Sequence, residues 1–242
     1  MKQRTLVAVI AYNEEKNLVN TLRDLRENGP AGIDVVVVDN GSNDRTKAVA
    51  LEAGVPVLSH CVNSGSSMGT VMTYFLYAYR NGYDCLCQFD GDGQHVAGEL
   101  HKITEPVLRD EADYVIGSRF LRKEGFQSYF FRRLGISLFA LLDSFVVGQR
   151  LTDVTSGFRA YSPRVLRFFA TRHRHELSDT NQLLLLSHFA GARIREVPVV
   201  MRAREHGVSE FRSVAAIVFP LKGVVNILGC LLQRKRIRKT WA

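Results

Sequence analysis

The sequence predicts an α/β fold in which a mainly parallel sheet is flanked by helices. Short apolar runs alternate along the chain with stretches of helical periodicity, which is the β-α-β-α order of such folds. The run 33–38 is dominated by β-branched residues without a regular polar face, as in strands that are buried on both sides. With 242 residues, of which 46% are hydrophobic and 23% charged, the chain is long enough for one large domain of this kind.

The first helix is predicted over residues 14–27, between strands at 5–11 and 33–38. Three leucines spaced four and three residues apart fall on one face of this helix, which is the face expected to meet the sheet. Gly29, followed by a proline, ends the helix because neither residue continues helical backbone well.

The later elements continue the alternation. Residues 39–44 predict a loop, in which Ser42 or Asn43 is the expected N-cap of the next helix. The remaining predicted strands lie at 55–58, 83–89 and 114–117, and the remaining predicted helices at 68–80, 97–108 and 129–147.

Acidic and amide side chains follow several predicted strands at the points where these strands end. Asn13 and Glu14 come after the first strand, and Asp39 comes after the second. Asp90 and Asp92 come after the fourth. Because ligands of open α/β sheets bind beyond the carboxyl ends of the strands, we expect these side chains to line one site.

The segment 89–95 carries the clearest chemical signal. It sets Asp90, Asp92 and Gln94 two residues apart, directly after an apolar run. Oxygen ligands in this pattern suit a hard divalent cation such as Mg²⁺ or Mn²⁺, shared with a phosphate-bearing substrate. Taken alone, an Asp-x-Asp pair in which each aspartate is followed by glycine is equally typical of a solvated turn, so its meaning depends on the rest of the chain.

Five motifs occur in an order that resembles a known family. They are Val9-Ile-Ala-Tyr-Asn-Glu14, Val37-Val-Asp-Asn-Gly-Ser-Asn-Asp-Arg-Thr46, Phe89-Asp-Gly-Asp-Gly-Gln94, Gly117-Ser-Arg119 and Asp153-Val-Thr-Ser-Gly-Phe-Arg159. Together they resemble the family 2 glycosyltransferases with a GT-A fold, and most closely the dolichyl-phosphate mannose synthase-like enzymes. The resemblance covers about residues 5–212. It implies an inverting, metal-dependent transfer from a nucleotide-diphosphate sugar.

The resemblance implies which residues bind the donor nucleotide. Ala11, Asn13 and Glu14 in the first motif, together with Asp39, are expected to hold the base and the ribose. Arg119 is expected to lie beside the donor and acceptor phosphates.

The resemblance also assigns the acid-rich motif to the metal and to the donor diphosphate. Asp92 and Gln94 are the expected metal ligands, and Asp90 either joins them or holds the ribose. A divalent metal there, Mg²⁺ or Mn²⁺, would neutralise the charge that develops on the diphosphate leaving group.

For the acceptor, the resemblance implies a polyprenyl phosphate such as dolichyl or undecaprenyl phosphate. Arg133 and Ser137, one helical turn apart, have the spacing of the residues that grip this phosphate. The segment from Arg202, a candidate catalytic residue, to Ser209 is expected to close over the site when substrates bind. The chain departs from the subgroup at Gln182, where a glutamate is usual, and at Glu210, where a lysine is usual.

A second kind of acceptor is a hydroxyl group on a lipid-linked or cell-envelope glycan. A hydroxyl needs a carboxylate base within hydrogen-bond reach, and Asp153 and Asp179 are the candidates for that catalytic role. Asp153 is alternatively expected to form a structural pair with Arg159.

The C-terminal part of the chain differs from the rest in charge. Residues 193–242 hold 11 Lys and Arg but only 3 Asp and Glu, which accounts for the whole net charge of +8. Apolar residues at helical spacing extend over about 19 residues, near the minimum for a membrane span. Lys222 in their middle, however, would cost ~2.5–3.5 kcal/mol at a bilayer centre. We therefore expect a catalytic domain over 1–212 and an amphipathic extension over 213–242.

The expected partner of this extension is an anionic membrane surface, which its basic residues would attract. The alternative is that its helix packs on the domain or on a second subunit of a homo-oligomer. We expect a peripheral protein on the cytoplasmic face of the membrane, with no nucleic-acid partner, because the basic tail lacks interleaved aromatic residues. A nucleotidyltransferase would show a glycine-rich, basic signature near the N-terminus, which the first motif lacks.

Overall fold

The computed structural model describes residues 3–63, 67–122, 130–171, 180–204, 206, 225–234 and 237. The side chains of residues 67–68, 130–135 and 180 lie outside this description. The strands are β1 (Thr5–Ala11), β2 (Ile33–Asp39), β3 (Val57–Ser59), β4 (Cys85–Asp90), β5 (Tyr114–Ser118), β6 (Arg159–Tyr161) and β7 (Ile194–Pro198).

The helices lie mainly between the strands, as the alternating pattern predicts. They are α1 (Glu15–Asn28), α2 (Thr46–Glu52), α3 (Ser67–Arg80), α4 (Leu100–Leu108), α5 (Phe130–Val147), α6 (Pro163–Thr171) and α7 (Thr180–Phe189). A short 3-10 turn, Ala97–Glu99, precedes α4, and residues 225–234 are helical as well.

The described strands form one sheet in the order β3-β2-β1-β4-β6-β5-β7. All pairs are parallel except those of β6, which runs antiparallel to both β4 and β5. The predicted α/β fold with a mainly parallel sheet is therefore confirmed. Because β6 enters the sheet from the edge at which β4 and β5 end, the residues before β6 lie beside those that follow β4 and β5.

Some boundaries and one cap differ from the predictions. Strand β3 begins two residues later than predicted, and β4 likewise. Neither Ser42 nor Asn43 caps α2, which begins at Thr46. The backbone N–H of Thr46 instead donates to Asp44 Oδ1 at 2.9 Å, while Ser42 Oγ accepts the N–H of Asn13 at 2.9 Å. The loop thus uses its polar side chains to bind the start of α1, which removes Ser42 from the cap.

Two apolar clusters cover the two faces of the sheet. Along β1, Leu6 and Ala8 belong to the cluster that includes α3, α6 and α7, while Val7 and Val9 belong to the cluster with α1 and α4. Since successive side chains of a strand point to opposite faces, β1 is buried on both sides. The leucine face predicted for α1 is buried in the second cluster.

The described part of the C-terminal extension packs on the domain. Ile227, Cys230 and Ile237 are buried in the same cluster as α3, α6 and α7. The opposite side of helix 225–234 exposes apolar residues, with Leu228 and Leu232 one turn apart and Leu232 87% exposed. Residues 213–224 lie outside the described part of the chain, so the division at residue 212 stays a prediction. Among the described residues, no helix combines the length and apolarity needed to cross a bilayer.

Candidate active site

The residues predicted to share a site meet around the carboxyl end of β1. Strand pairing sets Ala11 opposite Asp39 on one side and Ile10 opposite Asp90 on the other. The last carbonyl groups of β1 also accept hydrogen bonds from both neighbouring loops: Asn40 N donates to Ala11 O at 2.9 Å, and the loop after β4 does the same to Ile10 O at 2.8 Å. The acidic loops therefore fold over a common edge, as parallel strand order predicts.

On the β2 side, the predicted donor-binding residues hold their own loops together. Asp39 is buried, and its Oδ1 accepts the backbone N–H of Ser42 at 3.0 Å. Asn13 has a positive φ of 52°, and its Oδ1 accepts the N–H of Asn43 at 2.9 Å. The roles of Ala11, Asn13 and Asp39 in binding a nucleotide stay predictions, but their positions in the site are fixed by these contacts.

Glu14 faces the centre of the site from the start of α1. Its Oε2 accepts a hydrogen bond from Asn17 Nδ2 at 2.6 Å, and its Oε1 lies 3.4 Å from an Nη atom of Arg204. Burial raises the pKa of the Glu14 carboxyl above its usual value, and the negative charges of Asp92 and Asp90 act in the same direction. The three carboxyl groups therefore share one electrostatic environment, which a bound cation would stabilise.

Asp90 is contacted by His95, which lies five residues further along the same loop. The backbone N–H of Asp90 donates to His95 Nδ1 at 2.9 Å, and His95 Nε2 lies 3.5 Å from Asp90 Oδ2. The imidazole is buried and stacks on Phe158, whereas the Asp90 side chain remains 36% exposed toward the site. Partial burial raises the pKa of Asp90, and the nearby negative charge of Asp92 acts in the same direction.

Asp92 forms an ion pair with Arg204, a residue that the sequence analysis did not single out. Arg204 Nη2 donates to Asp92 Oδ2 at 2.6 Å and Nε donates to the same oxygen at 3.2 Å. The other oxygen, Oδ1, accepts the backbone N–H of Gln94 at 3.0 Å. The only signal in the sequence is that Arg204 lies in the segment 202–209, which was expected to approach the site.

The segment that carries Arg204 is joined through its backbone to residues 89–95, called the acid-rich loop below. Arg202 N donates to Gln94 O at 2.8 Å, and His95 forms a β-bridge with Met201. The side chain of Arg202 points elsewhere: it is 54% exposed, and its Nη1 lies 3.4 Å from Asp24 Oδ2. Of the two arginines in this segment, Arg204 therefore contacts the acidic residues of the site, and a catalytic role for Arg202 stays a prediction.

Arg119 and Asp153 form a buried pair beside these loops. Arg119 Nε and Nη2 donate to the two carboxylate oxygens of Asp153, each at 2.7 Å, and the Arg119 backbone N–H donates to the same carboxylate at 3.1 Å. Glu196 on β7 holds this loop by accepting the backbone N–H groups of Thr152 and Asp153 at 2.7–2.9 Å. Asp153 is therefore oriented by several independent contacts.

The pairing of Asp153 with Arg159 was wrong. Arg159 is buried at the start of β6 and donates to the carbonyl oxygens of Ser156 and Val154 and to the hydroxyl of Tyr114. Its side chain therefore closes the loop before β6 and reaches the core, while Arg119, which follows β5, takes the Asp153 carboxylate.

The predicted acceptor residues are only partly described. Ser137 is exposed on α5, and Gln182 is buried on α7. Arg133 lies on α5, but its side chain is outside the described part, and Asp179 is outside the described residues altogether. Their roles stay predictions.

The acid-rich loop fits a divalent metal by its donor set. Asp90, Asp92 and Gln94 offer two carboxylates and one amide, and the described residues contain no group of three His, Cys, Asp or Glu side chains arranged for a metal. Mg²⁺ and Mn²⁺ suit such sparse oxygen sites because they keep water and take substrate phosphate oxygens as further ligands. The ion pair between Arg204 and Asp92 shows that the acidic residues of the site stabilise a positive charge at this position.

Comparison with known sequences identifies the family to which the chain belongs. The family described as Glycosyl transferase family 2 matches residues 6–172, which is more than half of the chain. Polyprenol monophosphomannose synthase of Mycolicibacterium smegmatis is 33% identical over 216 residues, covering 86% of this chain and 81% of that protein. The UDP-N-acetylglucosamine–dolichyl-phosphate N-acetylglucosaminyltransferase of Methanococcus voltae is 29% identical over 211 residues, covering 78% and 82%.

Comparison with solved structures agrees on the fold. Glucosyl-3-phosphoglycerate synthase from Mycobacterium tuberculosis, in complex with Mn²⁺, uridine diphosphate and glucosyl-3-phosphoglycerate, superposes with a TM-score of 0.68. The alignment covers 94% of this chain and 80% of that chain at 16% identity, so it supports the GT-A fold alone. The resemblance seen in the five motifs is thereby confirmed: with its acid-rich loops at the carboxyl edge of the sheet and the match over residues 6–172, the chain belongs to family 2 and is a glycosyltransferase.

Proposed function

We propose that this enzyme transfers a sugar from a nucleotide-diphosphate sugar to a polyprenyl phosphate at a membrane surface, with inversion and with a divalent metal. The observation that carries the choice of acceptor is the buried pair between Arg119 and Asp153. Both carboxylate oxygens of Asp153 accept hydrogen bonds from the guanidinium, so this carboxylate is poorly placed to take a proton from a sugar hydroxyl.

A phosphate acceptor needs no such base. The second pKa of a phosphate monoester is about 6, so its oxygen is already an anionic nucleophile at neutral pH. What it requires is orientation and shielding from the negative charge of the donor. The relatives described above are named for polyprenol and dolichyl phosphates, which supports the same acceptor class here.

The chain's own residues supply charges of both signs around the reacting groups. Arg204 presents a guanidinium beside Asp92 and Glu14, where it can contact a phosphate oxygen once it leaves the carboxylates. Asp90, Asp92 and Gln94 would hold the metal, which when bound supplies Lewis-acid stabilisation of the diphosphate leaving group. Asp39 and Glu14 flank the expected position of the nucleoside at the end of β1.

The test is a transfer assay with a panel of nucleotide-sugars, Mn²⁺ or Mg²⁺, and undecaprenyl or dolichyl phosphate as acceptor. We expect a lipid-phosphate sugar whose formation EDTA abolishes. Asp92→Asn should reduce transfer by at least about 100-fold, a loss typical of removing a key electrostatic group. The control is Glu52→Gln, which changes an exposed carboxylate at the end of α2 and should retain activity.

Two outcomes would count against this proposal. Full activity in a folded Asp92→Asn variant would rule out the proposed metal site. Donor hydrolysis without transfer to any lipid phosphate, together with transfer to a lipid-linked glycan, would move the acceptor to a hydroxyl group and make Asp179 the base to test.

Membrane attachment through the C-terminal extension is part of the same proposal, with the enzyme on the cytoplasmic face. Helix 225–234 buries one side and exposes Leu228 and Leu232 on the other, and five of the six residues at 234–239 are basic. Each basic residue near an anionic leaflet contributes about 1 kcal/mol, and the exposed leucines add burial in the interface.

Because Ile227, Cys230 and Ile237 belong to the core, point variants test this attachment better than removal of the extension. The double variant Leu228→Gln/Leu232→Gln should lose sedimentation with vesicles of anionic phospholipid. Leu51→Gln, an exposed leucine on α2, is the matched control and should sediment like the wild type. Equal sedimentation of the double variant and the wild type would refute attachment through this face.

A further inference from the structure

We propose that His95 is a positioning residue for the Asp90 carboxylate: it holds this group in place through a proton on Nε2. The inference rests on the proposed function, because it concerns the metal and donor site of that reaction. It adds a residue to which the family resemblance gave no role.

The tautomer of His95 follows from its hydrogen bond to the backbone. Nδ1 accepts the N–H of Asp90 at 2.9 Å, so this nitrogen carries a lone pair and no proton. In a neutral imidazole the proton is then on Nε2, which lies 3.5 Å from Asp90 Oδ2. This distance is at the outer limit of a hydrogen bond, and contacts of this kind commonly shorten when an active site binds its substrate.

The ring has little freedom to turn away from Asp90. It is 4% exposed, stacks on Phe158 with centroids 4.7 Å apart, and meets the edge of Phe89 at 5.1 Å. The backbone of His95 is also fixed by its bridge to Met201. One histidine therefore contacts both the main chain and the side chain of Asp90 from a rigid position.

The position of the carboxylate also depends on the absence of a side chain at Gly157. A Cβ on Gly157 would lie 2.4 Å from Asp90 Oδ2 and 2.9 Å from Oδ1, so any side chain at 157 would force the carboxylate to move. Gly157 immediately precedes Phe158, the residue on which the imidazole stacks. The loop before β6 thus leaves room for the Asp90 carboxylate at Gly157 and carries the ring on which His95 stacks.

A histidine that served only the fold would need its Nδ1 acceptor and its ring packing. The contact of Nε2 with Oδ2 is superfluous for that role, since the Asp90 side chain is partly exposed and water could solvate it. The two roles can be separated with asparagine, because its Oδ1 occupies approximately the position of Nδ1 and it has no group at the position of Nε2.

The experiment compares His95→Asn with the wild type by electron paramagnetic resonance of Mn²⁺, titrated in the presence of saturating UDP or GDP. We expect the Mn²⁺ affinity of the folded protein to fall by about tenfold or more, as for the loss of a group that orients a ligand. The loss of the stacked ring should also lower the melting temperature, so the affinity is measured well below it. Gly157→Ala should weaken Mn²⁺ binding as well, because it displaces the same carboxylate. His101→Asn, at an exposed histidine on α4, is the control and should bind like the wild type.

His95→Gln provides a second variant in case the asparagine fails to fold. Its amide N–H₂ lies near the position of Nε2, so Mn²⁺ affinity should exceed that of His95→Phe, which keeps the packing and lacks both nitrogens. Wild-type affinity in His95→Asn, or equal affinity in the glutamine and phenylalanine variants, overturns the inference alone. Failure of the wild type to bind Mn²⁺ with either nucleotide overturns it together with the proposed metal dependence.

Discussion

Removal of Arg204 should strengthen metal binding while it weakens catalysis. The guanidinium of Arg204 contacts Asp92 Oδ2 at 2.6 and 3.2 Å and lies 3.4 Å from Glu14. A metal that takes Asp92 Oδ2 as a ligand must first displace this arginine. In the variant Arg204→Met, which keeps most of the side-chain length, that competition is absent.

The size of the effect follows from the contact. A hydrogen bond between charged groups contributes about 1.5–3 kcal/mol, and the Arg204 side chain is 27% exposed, so we take the lower end of this range. About 1.4 kcal/mol corresponds to a factor of ten in a binding constant. We therefore expect Arg204→Met to bind Mn²⁺ about tenfold more tightly than the wild type in the absence of nucleotide.

The assay is electron paramagnetic resonance of free Mn²⁺ in a titration without donor, followed by transfer kinetics with the donor. The matched control is Arg202→Met, since Arg202 lies two residues away but contacts Asp24 rather than the acidic site. Transfer by the Arg204 variant should fall, because a cation beside the phosphates is lost. Unchanged or weaker Mn²⁺ binding in Arg204→Met would refute the idea that the arginine competes with the metal.

Two further predictions concern the contacts that support the site. Glu196→Ala removes the acceptor for the backbone N–H groups of Thr152 and Asp153, and it should lower stability by about 1–3 kcal/mol and the melting temperature by about 5 °C in calorimetry; an unchanged melting temperature would contradict this. Burial raises the pKa of Asp113, but hydrogen bonds from Arg193 outweigh it and hold the pKa below its usual value. The ionised form then contributes stability above pH ~4 and loses it as the pH falls through the lower folded-state pKa. Arg193→Met should therefore cost about 1–3 kcal/mol in urea unfolding at pH 7, with a smaller difference near pH 3, and equal losses at both pH values would contradict the assignment.

The location of the site could be predicted because it depends on strand direction. Once the sheet is parallel, the residues that follow β1, β2 and β4 must reach one edge, and Asp39 and Asp90 do lie on either side of the end of β1. The leucine periodicity of α1 likewise determined which face is buried. These are local patterns, and one sequence is sufficient to see them.

The contacts within the site could not be predicted in the same way. Arg119 and Asp153 are 34 residues apart and Arg204 and Asp92 are 112 apart, so their pairing depends on how β6 and β7 join the sheet. Strand β6 has three residues, too few for an alternating pattern to stand out, and it runs against its neighbours. Because the position of β6 was not predicted, nothing in the sequence favoured Arg119 over Arg159 as the partner of Asp153.

The backbone on either side of Arg204 is anchored to two different elements. On one side, Arg202 and Met201 are attached to the acid-rich loop by a main-chain hydrogen bond and a bridge. On the other, the carbonyl of His206 accepts a hydrogen bond, at 3.1 Å, from Asn17 on α1. Among the described residues, these contacts join the segment that carries Arg204 both to the acid-rich loop and to α1. The guanidinium of Arg204 reaches Asp92 in that loop and Glu14 at the start of α1, so its backbone is tied to the same two elements as its side-chain partners. A shift of α1 relative to the acid-rich loop would therefore be felt at Arg204 through the main chain and through the ion pairs at once.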